Sequence, residues 1–153
     1  MPSTTIIVNK AAPEDAQTIA QFNIDMARET EDFTLDSPTV TAGVQSVLAG
    51  ADHGFYLVAR AATKTVGALL ITYEWSDWRN GNLWWIQSVY VVPSWRNQGV
   101  FRSLYQQVHE LAHQTDGVCG IRLYVEKNNH TAQTVYRNLG MSQTPYQVFE
   151  TIF

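Results

Sequence analysis

Leu83-Trp84-Trp85-Ile86-Gln87-Ser88-Val89-Tyr90-Val91-Val92-Pro93-Ser94-Trp95-Arg96-Asn97-Gln98-Gly99-Val100-Phe101 is the stretch on which the fold turns. Its first ten residues are rich in β-branched and aromatic side chains, the composition of a buried or half-buried strand. Pro93 cannot donate to a sheet ladder and ends that strand. Beyond it Phe101, Leu104, Tyr105, Val108, Leu111 and Ala112 recur at helical spacing, so a helix opens near Asn97 to Gly99. The first amides of a helix have no partner within it, and with the positive end of the helix dipole they would hold a phosphate group. Gly99 lets the backbone come close to phosphate oxygens, and Arg96 sets a charge beside them. A strand, a turn with one glycine and a helix also occur in proteins without any ligand there, so the junction alone leaves a purely structural reading open.

A second stretch shifts that balance. In Val125-Glu126-Lys127-Asn128-Asn129-His130-Thr131-Ala132-Gln133-Thr134-Val135-Tyr136-Arg137-Asn138-Leu139-Gly140-Met141 another strand feeds a short helix with the apolar stripe Ala132, Val135, Tyr136 and Leu139, closed by Gly140. With both stretches in view the sequence resembles the GCN5-related N-acetyltransferase superfamily. The first signature of that family, Arg/Gln-x-x-Gly-x-Gly/Ala, falls on Arg96-Asn97-Gln98-Gly99-Val100-Phe101. The second, Asn-x-x-Ala-x-x-Leu/Val-Tyr-x-x-x-Gly-Phe/Met, matches Asn129, Ala132, Val135, Tyr136, Gly140 and Met141 at every spacing. One departure is Phe101, which replaces a small residue. Its ring either packs down on the sheet or narrows the pyrophosphate seat, and its helical spacing with Leu104, Tyr105 and Val108 favours packing.

Outside these stretches the chain is bounded by its composition. At 153 residues, 45% of them hydrophobic, it is the size of one domain with one substantial core, expected over residues 1–153. No stretch approaches a membrane span, and Met1-Pro2-Ser3-Thr4-Thr5 lacks the basic and apolar regions of a secretory signal, so a soluble, cytoplasmic protein is expected. The single cysteine, Cys119, excludes an internal disulfide and a cysteine-based metal cluster, and no metal is expected. A formal net charge of −4, with only ten Lys and Arg, argues against nucleic acid as a partner.

Ile6 to Val8 reads as a first strand. Pro13-Glu14-Asp15 opens a helix with Ile19, Phe22 and Met26 on its apolar face, and Ser37-Pro38 opens another carrying Val40, Val44, Val47 and Leu48. Strands follow over Phe55 to Arg60 and Val66 to Tyr73, and Asn80-Gly81 signals the turn into the strand ending at Pro93. Strands over Ile121 to Val125 and Tyr146 to Phe153 flank the second short helix. The expected fold is α/β, a mixed sheet with helices on both faces in the order β-α-α-β-β-β-α-β-α-β. The resemblance implies the same GNAT-like fold, with splayed central strands admitting the pantetheine arm of acetyl-coenzyme A.

Transfer of an acetyl group from a thioester to an amine needs a neutral amine, a donor for the carbonyl oxygen and a proton for the departing thiolate. The resemblance carries the last role to Tyr136, although the same residue would also serve as a packing residue on its apolar stripe. It places the oxyanion donor at the main-chain N–H of Val89, a pantetheine contact at Val91, and the pyrophosphate on Arg96, Asn97, Gln98, Gly99, Val100, Phe101 and Arg102. Asn129 would hold the cofactor, or simply begin its helix. Many relatives carry a glutamate where this chain has Ile86-Gln87-Ser88, and Gln87 cannot take a proton. Glu74 is therefore the base of first choice, with Glu31 and Asp32 as substitutes acting directly or through water; His130 could shuttle a proton. Trp75, Trp78, Trp84 and Trp85, with Phe33 and Tyr73, could cage an ammonium group beside these carboxylates, though Trp84 and Trp85 must face opposite ways. Glu31, Asp32, Phe33, Trp75 and Gln87 are thus the candidate acceptor contacts.

The function expected is an N-acetyltransferase acting in a ternary complex on a primary amine of a small molecule. A protein lysine or N-terminus is a further candidate acceptor, and a second copy of the chain a candidate partner. A noncatalytic acyl-coenzyme A sensor or scaffold would keep Arg96 to Arg102 and Asn129 while needing no proton donor or base.

Overall fold

Pro93 stops the strand before it where the sequence places the stop, and a single turn of 3-10 helix, Pro93–Trp95, carries the chain toward the following helix. The computed structural model describes residues 4–50 and 52–153; Met1 to Ser3, part of the start inspected for a secretory signal, and Ala51 lie outside them. Among the described residues five strands, β1 (Ile6–Lys10), β2 (Gly54–Ala61), β3 (Lys64–Ser76), β4 (Gly81–Val91) and β5 (Val118–Arg122), occur with four α-helices. The helices are α1 (Ala16–Glu31), α2 (Ser37–Leu48), α3 (Val100–Gln114) and α4 (His130–Asn138). The chain divides into two units, one ending at Leu123 and the other spanning Tyr124–Phe153.

In the first unit the sheet runs β1-β2-β3-β4-β5, antiparallel except for the parallel pair β4 and β5. On one face Ile19, Ala20 and Phe22 of α1 and Val44 of α2 pack on Tyr56, Val58, Ala68 and Tyr90. Strand alternation turns Gly67 to the opposite face, under α3. A Cβ on Gly67 would lie 2.9 Å from Val100 Cγ1 and 3.1 Å from the Tyr90 carbonyl oxygen, so only glycine lets α3 come this close. Helices therefore cover both faces, as the sequence implies. Asp36, one residue ahead of the expected Ser37, caps α2 by accepting the Thr39 N–H at 3.1 Å.

Strand β4 has two irregularities. Its ladder with β5 ends at the pair Trp85 and Arg122, so Ile86 to Val91 run on with that edge unpaired by a strand. Opposite β3 the register slips between Ala68 and Leu70, which face Tyr90 and Gln87, and Ser88 takes a left-handed φ of 51°. Two residues of β4 thus oppose one of β3, a bulge that bends the strand.

In the second unit Asn129 Oδ1 accepts the Ala132 N–H at 3.1 Å, capping α4. Gly140, at φ 95°, closes the helix as the sequence predicts: its N–H bonds the Arg137 carbonyl, and the Met141 N–H bonds that of Tyr136, both at 3.0 Å. The strand expected over Tyr146 to Phe153 is not formed, and these residues join no ladder. Their side chains suit a strand, but a strand exists only where another supplies the hydrogen bonds. The strand expected over Ile121 to Val125 begins and ends three residues earlier, because its length follows its pairing with β4.

Candidate functional site

The first backbone bond of α3 joins the Ser103 N–H to the Gly99 carbonyl at 3.0 Å, so the amides ahead of it are not used by the helix. Gly99 is the N-cap, at φ 81°, and a Cβ on it would meet nothing within 4 Å. Open space therefore lies over the one residue whose backbone could be approached most closely. Asn97 is also left-handed at φ 62°, and Gln98 Nε2 donates to the Ser94 carbonyl at 2.9 Å, holding the turn's shape. Arg102 has no hydrogen-bond or ion-pair partner among the described residues, leaving its charge available to an anion. Val100 is buried under the sheet, and the half-buried Phe101 ring lies 6.3 Å from that of Tyr105 along the helix flank.

Arg96 is placed differently from the charge expected beside a phosphate. Its Nη2 donates to Glu29 Oε2 at 2.7 Å, its Nε donates to the Val91 carbonyl at 2.9 Å, and its guanidinium lies 5.6 Å from the Tyr90 ring centre. Tyr90 Oη donates to the other oxygen of Glu29 at 3.2 Å. Arg96 thus ties the turn to α1 and β4. The Arg96 hydrogen bond holds the Glu29 carboxyl below its ordinary value, helped by Tyr90 and opposed by burial. Burial and the hydrogen bond to Glu29 push the Tyr90 phenol up. Glu29 was missed in the sequence because it lies 67 residues from Arg96.

The unpaired edge of β4 carries the two expected backbone donors. Val92 gives its N–H to the Val66 carbonyl on the β3 side at 2.9 Å, so by alternation the Val91 amide points to the open edge. Val89 lies two residues earlier on that edge, directly after the bulged Ser88.

Beside the bulge a cavity of about 470 Å³ opens between α1, α2 and strands β2 to β4. Its floor is Tyr56, Leu70 and Ser88; α1 contributes Asn23, Met26, Ala27, Thr30 and Glu31 as one stripe, and α2 contributes Val40, Gly43, Val44 and Val47. Burial pushes the Tyr56 phenol up, opposed by the neighbouring Asn23 side chain. Of the expected acceptor contacts only Glu31 lines this cavity. Asp32 ends α1 in a left-handed conformation at φ 47°, and Phe33 and Trp75 are exposed. Gln87 donates its amide to the Thr72 hydroxyl. Trp75, Trp84 and Trp85 lie on the β3–β4 hairpin and Trp78 in its turn; Trp84 is buried against Phe55, whereas Trp78 stands in solvent. Asn23, Tyr56 and Ser88 were not singled out in the sequence; a small polar Ser88 within an apolar strand was the available signal.

Glu74 lies on the same face of β3 as Leu70 and Thr72. Its Oε2 accepts from Arg122 Nη1 at 2.6 Å and its Oε1 from Trp85 Nε1 at 3.3 Å. In the second unit, burial pushes the Tyr136 phenol up, keeping its proton in place at neutral pH. No group of three or more His, Cys, Asp or Glu that could hold a metal occurs among the described residues.

Residues 18–141 match the family model described as acetyltransferase (GNAT) family. A possible acetyltransferase from Clostridium difficile 630 is 40% identical, with 97% of each chain covered and a TM-score of 0.89. The aminoglycoside N-acetyltransferase AAC(6')-Iy, solved in complex with CoA, superposes with a TM-score of 0.79 at 16% identity, over 99% of this chain and 97% of that one. An integron cassette protein from the mobile metagenome of Cole Harbour Salt Marsh gives 0.82 at 18% identity, over 95% and 89%. These last two show a shared fold. Among curated proteins no match to the chain is found.

Proposed function

The chain belongs to the GNAT acetyltransferase family, and from that premise we propose that it moves an acetyl group from acetyl-coenzyme A to a primary amine of a small molecule. The observation that carries this reading is the conjunction in one unit of an amide-lined helix start, an unpaired strand edge and a bulge-side cavity. The open space over Gly99 and the unpartnered Arg102 fit a pyrophosphate, and the edge of β4 fits an extended amide-bearing arm. Acetyl-coenzyme A would supply an activated acetyl thioester.

Each residue of the chain then has its own part. Val100 and Arg102 at the start of α3 hold the phosphates, with Asn97, Gln98 and Gly99 shaping the turn and Phe101 packing along the helix flank. Val91 donates its N–H to the arm, and Val89 donates its N–H to the carbonyl oxygen as negative charge grows there. Asn129, whose Oδ1 caps α4, keeps its side-chain NH₂ for the cofactor. Tyr136 holds the proton required by the leaving sulfur. Glu31 draws the ammonium form of the acceptor into the cavity. Glu74, paired with Arg122, takes the surplus amine proton through water along the Thr72 and Gln87 row, since four residues of strand, about 13 Å, separate it from Leu70.

Direct attack in a ternary complex is favoured over an acetyl-cysteine. The single cysteine, Cys119, bonds the Asn82 carbonyl at 3.4 Å, at the far end of β4 from the bulge. No described helix is long and apolar enough to cross a membrane. Mass spectrometry of acetyl-coenzyme A incubated with enzyme and an amine panel tests the proposal. An N-acetylated amine formed in step with free thiol is expected; thiol release without acetylated amine would refute it.

A further inference from the structure

We infer that the acceptor is an amphipathic monoamine, with one ammonium group on an apolar body, rather than a polycation such as a polyamine or aminoglycoside; this rests on the acetyl-transfer reading above. The cavity wall is mostly hydrocarbon: Val40, Val44 and Val47 of α2 and Leu70 of β3 form it, and Met26 and Leu35 extend it. Most of the polar groups on the wall are already engaged. Thr30 Oγ1 donates to the Met26 carbonyl at 2.8 Å, and Asn23 faces the Tyr56 phenol.

One carboxylate remains. Glu31 lines the cavity and has no hydrogen-bond or ion-pair partner among the described residues. Asp15, Glu29 and Glu74, by contrast, are paired with Arg60, Arg96 and Arg122. One unpaired carboxylate on a hydrocarbon wall compensates one ammonium. A second or third cation would lie against valine and leucine side chains with nothing to replace its water. The volume, about 470 Å³, lies within the usual range of small-molecule sites and suits an alkyl or arylalkyl amine.

Gly43 offers a variant that fills the cavity without disturbing the fold. A Cβ there meets nothing within 4 Å, and the position is helical, where a larger residue raises helix propensity. The experiment measures kcat/KM for straight-chain monoamines from propylamine to octylamine, with phenethylamine, spermidine and kanamycin alongside. Wild type and Gly43→Leu are compared, and acetyl-coenzyme A binding is followed by calorimetry on the same samples.

The expected result is a rise of about fourfold per methylene until the cavity is full, the conversion of ~0.8 kcal/mol per buried CH₂. Spermidine and kanamycin should fall at least tenfold below the best monoamine. Gly43→Leu should remove the gain from chain length while binding acetyl-coenzyme A and melting no lower than wild type. Turnover of polycations equal to or better than that of monoamines, or no dependence on chain length, would each overturn the substrate class alone, whereas no acetylation of any amine despite cofactor binding would overturn the acetyl-transfer reading itself. Absence of cofactor binding would overturn the acetyl-transfer reading and this inference with it.

Discussion

Replacing Glu29 with glutamine removes the charge that Arg96 grips and separates two roles for that arginine. The Arg96 and Glu29 side chains are 44% and 38% exposed, so their 2.7 Å contact is strongly screened. Exposed pairs contribute ~0.2–1 kcal/mol, and the three-way arrangement with Tyr90 places this one in the upper half of that range, about 0.5–1 kcal/mol. Arg96→Ala also removes the bond to the Val91 carbonyl, worth about 1 kcal/mol, and the ring contact with Tyr90, worth about 0.5 kcal/mol, for a total near 2 kcal/mol. Urea unfolding of both single variants and the double variant should show Glu29→Gln costing nothing once Arg96 is gone. Because Glu29 is held below its ordinary value, its contribution is complete above the unfolded glutamate value of about 4.3 and is lost as pH falls through the lower folded value. The wild-type and Glu29→Gln stabilities should therefore converge in acid. Acetyl-coenzyme A affinity should fall about two- to fivefold in Glu29→Gln, the equivalent of the same 0.5–1 kcal/mol. Equal cost in both backgrounds would refute the pairing. Tighter binding by Glu29→Gln would show that Arg96 is a phosphate ligand that Glu29 holds back.

Tyr136→Phe should keep cofactor affinity and lower kcat on the order of 10²–10⁴-fold in steady-state assays; unchanged turnover would make Tyr136 a packing residue. With the phenol pushed up by burial, any alkaline loss of activity due to this group should lie above the ordinary tyrosine value of about 10. Gly99→Glu adds charge and a left-handed strain of about 1 kcal/mol at φ 81°, and should abolish cofactor binding in calorimetry with the circular dichroism spectrum retained. Glu74→Gln should lower kcat at least tenfold while leaving acetyl-coenzyme A affinity unchanged. Leu104→Ala, at a position fully buried between α3 and the sheet, should lower unfolding free energy by about 2–5 kcal/mol without altering which amines are accepted.

The path from β4 through α3 was legible because its signals are local: Pro93 ends the strand, and the buried positions Leu104, Tyr105, Val108 and Ala112 keep helical spacing. Asn129 and Gly140 likewise marked the two ends of α4. Tyr146 to Phe153 misled because side-chain propensity says nothing of whether a partner strand is present. The site was less legible than the fold. Its pairings join Glu29 to Arg96 and Glu74 to Arg122 across 67 and 48 residues, distances over which no periodicity reaches. The cavity wall is drawn from two helices and three strands, so residues such as Asn23 and Val40 became neighbours only through packing. The bulge at Ser88 depends on a register slip against β3, which a strand pattern does not encode.

On the proposed reading, the start of α3 and the open edge of β4 hold acetyl-coenzyme A. Calorimetric titration of acetyl-coenzyme A into wild type and Gly99→Glu, with thiol release then followed on adding an amine, tests it most directly. Micromolar binding by wild type, none by the variant, and amine-dependent release by wild type alone are the predicted results. Equal binding by the two proteins would place the cofactor elsewhere, and no binding by wild type would mean that this protein does not use acetyl-coenzyme A.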